Sequence, residues 1–361
     1  MKLLKSLNFR NIERNTRWFS SNVYSDIIIS SRVRIARNIE GFPFPLQMSE
    51  KQAELLLERI IDAIFSKFKS RKKILLYSEK LSYIEKQFLL ERHIVSKEFV
   101  EDGLPKAVVI FPEEKVSIMI NEEDHLRIQG IQEGLNLMKA WKKVDEIDSL
   151  LDEKLKFSFS SKFGYLTSCP TNVGTGLRAS VLAHIPAIFI TSKNEMLFSA
   201  LEKIGIMIRG FYGEGSEKIG NILQFSTSET LGKSEEEIIS ELESVVKLII
   251  MEERRERERI KKSRKLRERI VKEIEKIKRI DKINTEDSFS FLSFLALAKD
   301  LNIVSVRMEK INKLFFEVLP AHIQLKEGEI LTEEERDFKR CELLKRQLGE
   351  ICLKDLQREL N

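Results

Sequence analysis

The sequence predicts an α+β fold: a largely antiparallel sheet with helices packed on it, followed by an all-helical C-terminal region. Three observations carry that expectation. Residues 1–232 hold 13 of the 15 glycines and 6 of the 7 prolines, so a turn-rich part precedes a turn-poor one. Within that first part, short runs rich in β-branched residues lie close together around turns. Beyond Gly232, apolar residues recur at helical spacing behind capping boxes.

Taken in order, residues 26–30, 73–77, 107–111 and 116–120 read as strands, and 186–190 and 220–225 as weaker strand candidates. Residues 49–68 carry a helical pattern opened by Ser49 as a cap. Ser234 and Glu237 form a capping box before Ile238, Leu242, Val245 and Ile249. All eight residues of 252–259 are charged, with mixed sign, and read as a solvated helix face laced with i,i+4 pairs. Leu266, Ile270, Ile274 and Ile277 continue an apolar stripe, and Thr332 with Glu335 starts a final helix reaching nearly to Asn361. Such narrow stripes need partners, in a bundle or at a dimer surface.

Composition excludes several classes. The chain has 361 residues, 42% of them hydrophobic, and 62 Lys+Arg against 57 Asp+Glu; a net charge of +5 leaves no nucleic-acid footprint. No apolar run has the length of a membrane span, and the basic N-terminus lacks the apolar core of a secretory signal. Cys169, Cys341 and Cys352 are too few and too scattered for a disulfide framework or a zinc knuckle, which fits the cytoplasm. The phosphate loop G-x-x-x-x-G-K-[ST] is missing, the glycine pairs at 174/176 and 213/215 lack the third glycine of a dinucleotide fingerprint, and no H-R-D or D-F-G set occurs.

What remains is a series of arginines. Arg32 and Arg34 fall on one side of an extended chain; Arg127, Arg178 and Arg209 each stand beside glycines or acids. Singly, each reads as a surface or ion-pair residue. Jointly, forked guanidinium groups suit the oxygens of a polyphosphate. Asn121, Glu122, Glu123, Asp124 and His125 read as a Mg²⁺ ligand set, an acidic turn, or a base for a basic substrate. His93 and His125 alone read as hydrogen-bonded structural histidines. Cys169 reads by default as an inert thiol in a loop of small residues.

Four segments in this order, Ser30-Ser31-Arg32-Val33-Arg34, Asn121 to Arg127, Cys169 to Gly176 and Arg209-Gly210-Phe211-Tyr212-Gly213-Glu214, resemble the phosphagen (guanidino) kinase catalytic domain over residues 24–253. Small-molecule guanidino kinases carry a helical domain before the first arginine motif; here that motif starts at Ser30, so such a domain is expected to be absent. That absence, the glycine-rich form of residues 209–217 and the helical C-terminal region resemble the bacterial protein arginine kinase branch. The resemblance implies a catalytic domain at 1–253 and a helical domain at 254–361 for dimerisation and phosphoarginine binding. It implies ATP, with Mg²⁺ carried by the nucleotide rather than by a protein metal site. Arg32, Arg34, Arg127, Arg178 and Arg209 would grip the phosphates. Ser30, Ser31, Val33, Ala179, Ser180, Val181, Leu182, Gly210, Phe211, Tyr212, Gly213 and Glu214 would complete the nucleotide site, with His93 near base and ribose. Glu123 would orient the guanidinium and accept its proton, Glu214 would be the second carboxylate of the clamp, and Cys169 would lie beside the reacting nitrogen. Gly174 and Gly176 would let their loop close over the nucleotide. Arg336, Asp337, Arg340 and Cys341 resemble an allosteric phosphoarginine motif, with Cys341 in place of alanine.

The same resemblance implies protein substrates with exposed arginines, marking for a Clp-type protease, action on a heat-shock repressor, an activator protein and a homodimer. Competing readings are a small-molecule guanidino kinase, a catalytically weak phosphoarginine-binding scaffold and, resting only on the mixed-charge helix, a nucleic-acid binder.

Overall fold

The computed structural model describes residues 26–113, 115–211 and 219–348. Its centre is one eight-stranded sheet of β1 (Ile28–Arg37), β2 (Ile74–Tyr77), β3 (Ala107–Phe111), β4 (Val116–Ile120), β5 (Leu126–Glu133), β8 (Leu177–His184), β9 (Ile206–Arg209) and β10 (Ile222–Thr227). Their order across the sheet is β2-β3-β4-β5-β1-β8-β10-β9, and every neighbouring pair is antiparallel. A separate hairpin joins β6 (Phe159–Ser160) to β7 (Gly164–Tyr165). The helices are α1 (Glu50–Lys67), α2 (Tyr83–Glu91), α3 (Lys97–Val100), α4 (Leu137–Leu155), α5 (Pro186–Ile190), α6 (Asn194–Lys203) and α7 (Glu235–Lys262), then α8 (Arg264–Glu275), α9 (Thr285–Asp300), α10 (Met308–Glu317), α11 (Pro320–Glu327) and α12 (Glu333–Leu348).

Strand parity divides the sheet into two chemically different faces. Val33 and Ile35 of β1, Ile128 of β5, Ala179 and Val181 of β8 and Phe225 of β10 point to one face, where α1, α4 and α7 bury them in the main core. The opposite face carries Arg32, Arg34, Arg127 and Arg178. At its β2–β4 side that face is covered by α2, α3 and α11, which enclose Leu76, Val108, Ile110 and Met119. Among the described residues, the arginine half is partly covered, between this layer and the C-terminal helices.

The helices begin as the caps dictate. Ser49 and Gln52, and Ser234 and Glu237, exchange side-chain and backbone bonds as capping boxes. Thr332 and Glu335 do the same ahead of α12; the last residues to Asn361, Cys352 among them, lie outside the described residues. The stripe of Ile270, Ile274 and Ile277 packs inside this same chain against Phe289, Leu292 and Phe315, so the partners it needs are supplied by a bundle.

Three expectations are corrected. The segment after residue 30 does not follow the first strand but is part of it, since β1 runs ten residues to Arg37. Residues 186–190 form a helix, because Pro186 pre-sets its first turn and the Glu253 carboxylate accepts from the Ala187 and Ile188 N–H groups at 3.2 and 3.0 Å. The charged run 252–259 is not wholly solvated: Glu253, Glu256 and Arg257 are buried. Arg257 bridges Glu253 at 2.8 Å and Asp300 of α9 at 2.7 Å, so the run clamps the sheet to the helical region.

Removing the cation from that clamp strands the buried Glu253 carboxylate and the half-buried Asp300, and loss of one partner of a buried pair costs about 3–5 kcal/mol. Arg257→Ala is therefore expected to lower unfolding stability by about that amount in urea denaturation, and the double change Glu253→Gln, Arg257→Met to recover most of it.

Candidate active site

Cross-strand register gathers the arginines. Arg34 of β1 lies directly opposite Arg178 of β8, and Arg32 opposite Ser180. On the other side of β1, Arg34 faces Gln129 and Ala36 faces Arg127 of β5. Gln224 of β10 faces Leu182 on one side and Arg209 of β9 on the other. Like charges directly opposite one another are unfavourable, and the consequence is visible in their protonation. Burial, then Arg209 and Arg127, pulls the Arg32 guanidinium down to about 10. Burial, Arg32 and Arg127 hold Arg34 well below the usual arginine range.

Neutral side chains help to aim these groups. Arg32 Nη2 donates to Gln224 Oε1 at 2.8 Å and its Nε to Ser180 Oγ at 3.4 Å. Arg178 donates to Asn172 Oδ1 at 2.8 Å and Thr171 Oγ1 at 2.9 Å. Arg209 Nη2 meets the Met207 sulfur at 3.5 Å.

Arg127 is different. Three consecutive carboxylates fan around it: Glu122 at 3.0 Å, Glu123 in a short contact, and Asp124 at 3.7 Å from Nε. Burial alone would lower its pKa, but these carboxylates raise it. Residues 121–125 form the tight β4–β5 turn: Asn121 takes a left-handed φ of 54° and its N–H donates to the His125 carbonyl. Asp124 Oδ1 accepts from Asn38 Nδ2 at 2.8 Å and from the Ser168 N–H at 2.7 Å. His125 Nδ1 accepts from the Ile39 N–H and its Nε2–H donates to the Pro43 carbonyl, both at 2.9 Å, so this histidine is a neutral structural link. Glu122 has no exposed side-chain surface and is bonded to Ser96. Glu123 is left with about a third of its side chain open, at 32%. Burial raises its carboxyl above the ordinary range against the opposing pull of Arg127.

The bond from Ser168 brings in the next functional candidate. Cys169 caps the short turn Pro170–Asn172, half-exposed, with its Sγ 3.0 Å from Thr171 Oγ1. Thr171 and Asn172 are the residues that hold Arg178, so thiol, acidic turn and arginine face are parts of one construction. The loop's glycines serve that packing: a Cβ on Gly174 would stand 2.0 Å from the Thr230 carbonyl oxygen, and one on Gly176 2.7 Å from that of Ala36.

His93, at φ 56°, lies on the open face with its ring 4.9 Å from Phe211. Burial and Arg32 lower it to about 3, so it is uncharged at neutral pH. Ser30, Ser180 and Leu182 share that face, whereas Val33, Ala179 and Val181 turn their side chains into the main core. Ser31 also turns to the back, donating to the Gly134 carbonyl at 2.7 Å. Gly210 and Phe211 follow β9, and Phe211 is fully buried. Tyr212, Gly213 and Glu214 lie outside the described residues.

The C-terminal candidates stand apart from this cleft. Arg340 is 1% exposed and donates to the carbonyls of Val318 and Ile283 at 2.7 and 2.8 Å, besides its contact with Asp337. Arg336 donates to the Leu331 carbonyl at 2.8 Å, and the Cys341 thiol is buried against the Ile280 carbonyl at 3.3 Å.

Sequence reasoning missed the supporting residues. Gln224 lies in no motif and its role comes from register, whereas Thr171 and Asn172 lie within the Cys169–Gly176 segment but carry no assigned role there. Arg37 breaks the alternation set by Arg32 and Arg34: it turns inward to Asp148 at 2.8 Å and stacks 3.4 Å over the Tyr165 ring. Its odd parity relative to Arg32 and Arg34 was the available signal.

Comparison with known proteins agrees with this geometry. Residues 56–256 match the sequence model of the ATP:guanido phosphotransferase C-terminal catalytic domain, and residues 263–359 that of the protein-arginine kinase McsB C-terminal domain. A protein-arginine kinase of Halothermothrix orenii is 41% identical over 90% of this chain and 93% of its own length. One from Caldanaerobacter subterraneus subsp. tengcongensis is 39% identical over 90% and 97%. Among solved structures, the duplicated taurocyamine kinase of Schistosoma mansoni with transition-state-analogue components superposes with a TM-score of 0.59 at 28% identity, over 64% of this chain and 34% of that one. A lombricine kinase shares the fold at a TM-score of 0.56 and 24% identity, over 64% and 68%. Sheet, cleft and relatives converge: the chain belongs to the protein arginine kinases of the ATP:guanido phosphotransferase family.

Proposed function

We propose that the chain transfers the γ-phosphate of ATP, bound with Mg²⁺, to the guanidinium of arginine side chains in proteins. The observation that carries this reading is the open sheet face on which Arg32, Arg34, Arg127, Arg178 and Arg209 converge beside an acidic turn and Cys169. Arg32 and Arg34, whose pKa values are lowered by burial and by neighbouring guanidiniums, suit a polyanion that removes this repulsion on binding. Phosphoryl transfer asks mainly for alignment and charge neutralisation, which this face supplies. Mg²⁺ supplies further neutralisation between the phosphates when it enters with the nucleotide.

The acceptor guanidinium holds its proton tightly, so a carboxylate must take one as the N–P bond forms and the bond from the γ-phosphorus to the ADP oxygen breaks. Glu123 has the exposure and the raised pKa for that work. Cys169, whose neighbour Ser168 is bonded to Asp124, is assigned a place beside the acceptor guanidinium on the family likeness. Glu214 is assigned as the second carboxylate on the family likeness alone. The same likeness supports a transfer domain at 1–253 and a helical domain at 254–361, although α7 passes unbroken across that boundary. It also supports dimerisation, phosphoarginine binding at Arg336, Asp337, Arg340 and Cys341, an activator, and marking of substrates, a heat-shock repressor among them, for Clp-type proteolysis.

Labelled γ-phosphate supplied with Mg²⁺ is expected to appear on an arginine-rich protein as acid-labile, base-tolerant label. Label on free arginine alone would move the chain to small-molecule guanidino kinases, and label on neither to a phosphoarginine-binding scaffold. Glu123→Gln is expected to reduce transfer by about 10²–10⁴-fold. Because Glu123 acts ionised and its pKa is raised, kcat should fall as the pH drops, with a midpoint above the usual glutamate value of 4.5, and that limb should vanish in the variant. Arg34→Met removes a like charge from a crowded face. Its melting temperature should be no lower than that of the parent, while the stabilisation that MgADP confers on the parent is lost.

A further inference from the structure

The cleft has one wall that the sheet does not supply. Beside Arg32, Ser180 and Gln224 lies a narrow slot bounded by His93, Leu182 and Phe316, and Phe316 comes from α10 in the helical region. Its ring is 2% exposed, stands 6.1 Å from His93 at 82°, and packs 5.6 Å from Phe211. Phe211 in turn packs 5.1 Å from Phe289 of α9. An aromatic layer from the helical region thus backs the uncharged histidine, immediately beyond the phosphate-binding arginines.

The backbone around Phe316 is pinned to the same place. Two residues on, the Val318 carbonyl accepts from Arg340 Nε at 2.7 Å. The N–H groups of Ala321 and His322 then donate to Glu91 at 2.8 and 3.2 Å, and Glu91 is two residues before His93. One carboxylate therefore couples the segment carrying His93 to the segment carrying Phe316. The order of chemistry along the slot, guanidiniums first and aromatic rings next, is that of a nucleotide read from phosphates to base.

We propose that Phe316 forms a wall of the compartment for the nucleotide base, so that the helical region takes part directly in nucleotide binding. This rests on the reading of the cleft as the ATP site. Aromatic contact with a base contributes on the order of ten-fold in affinity or more, whereas the arginines act on phosphates alone, so the two contributions separate with two ligands.

The test is calorimetric titration of the full chain with MgADP and with magnesium tripolyphosphate, which has the charge but no base. Phe316→Ala is expected to weaken MgADP about ten-fold and to leave tripolyphosphate within two-fold. Phe316→Leu, which keeps most of the volume without the ring, should show the same selective loss in a less disturbed core. Equal loss for both ligands in both variants would make Phe316 a packing residue and overturn the proposal, as would unchanged binding of both. Failure of the parent to bind either ligand would overturn the ATP reading itself.

Discussion

Everything in this molecule is arranged around one unfavourable interaction: the repulsion among guanidinium groups held on the same face of a sheet. Side chains free in solution would separate. Here the strand ladder forbids it, because β1, β5 and β8 fix Arg34 between Arg178 and the neighbourhood of Arg127. The repulsion is sustained by the opposite face of the same strands, where Val33, Ile35, Ala179 and Val181 are sealed beneath α1, α4 and α7. Apolar burial on one side thus supports electrostatic repulsion on the other.

The acidic turn complements that design. A free cluster of Glu122, Glu123 and Asp124 would repel itself as the arginines do, and Arg127 is the shared ion that lets both clusters exist side by side. The three acids are then differentiated by surroundings alone. Asp124 is committed to Asn38 and Ser168, Glu122 to Ser96, and Glu123 keeps access to the cleft. Similar chemistry in consecutive residues ends as two committed groups and one accessible one.

Much of this was legible in the sequence where a local rule decides the outcome. The parity of Arg32 and Arg34 follows from extended geometry, and the caps at Ser49, Ser234 and Thr332 follow from side-chain chemistry within one turn. What escaped was settled by distant partners. Residues 186–190 have strand-like composition, yet Glu253, far along the chain, receives their N–H groups and makes them a helix. Residues 252–259 have the composition of a solvated face, yet Asp26 and Asp300 draw Arg257 inward. Gly174 and Gly176 stand where a Cβ would meet the carbonyls of Thr230 and Ala36, which only the folded loop reveals. Gln224 became a site residue only through its register with Leu182 and Arg209.

The unbroken helix α7 has a geometric corollary. Its 28 residues span about 42 Å, with one end against the sheet and the other against α8. A helix transmits rotation as well as distance: each inserted or deleted residue would turn everything beyond it by about 100° and shift it by about 1.5 Å. The seat of Arg257 between Glu253 and Asp300, and of the aromatic layer behind His93, therefore tolerates no single-residue change of length within this element. The spacing between the two halves of the protein is set like the teeth of a gear.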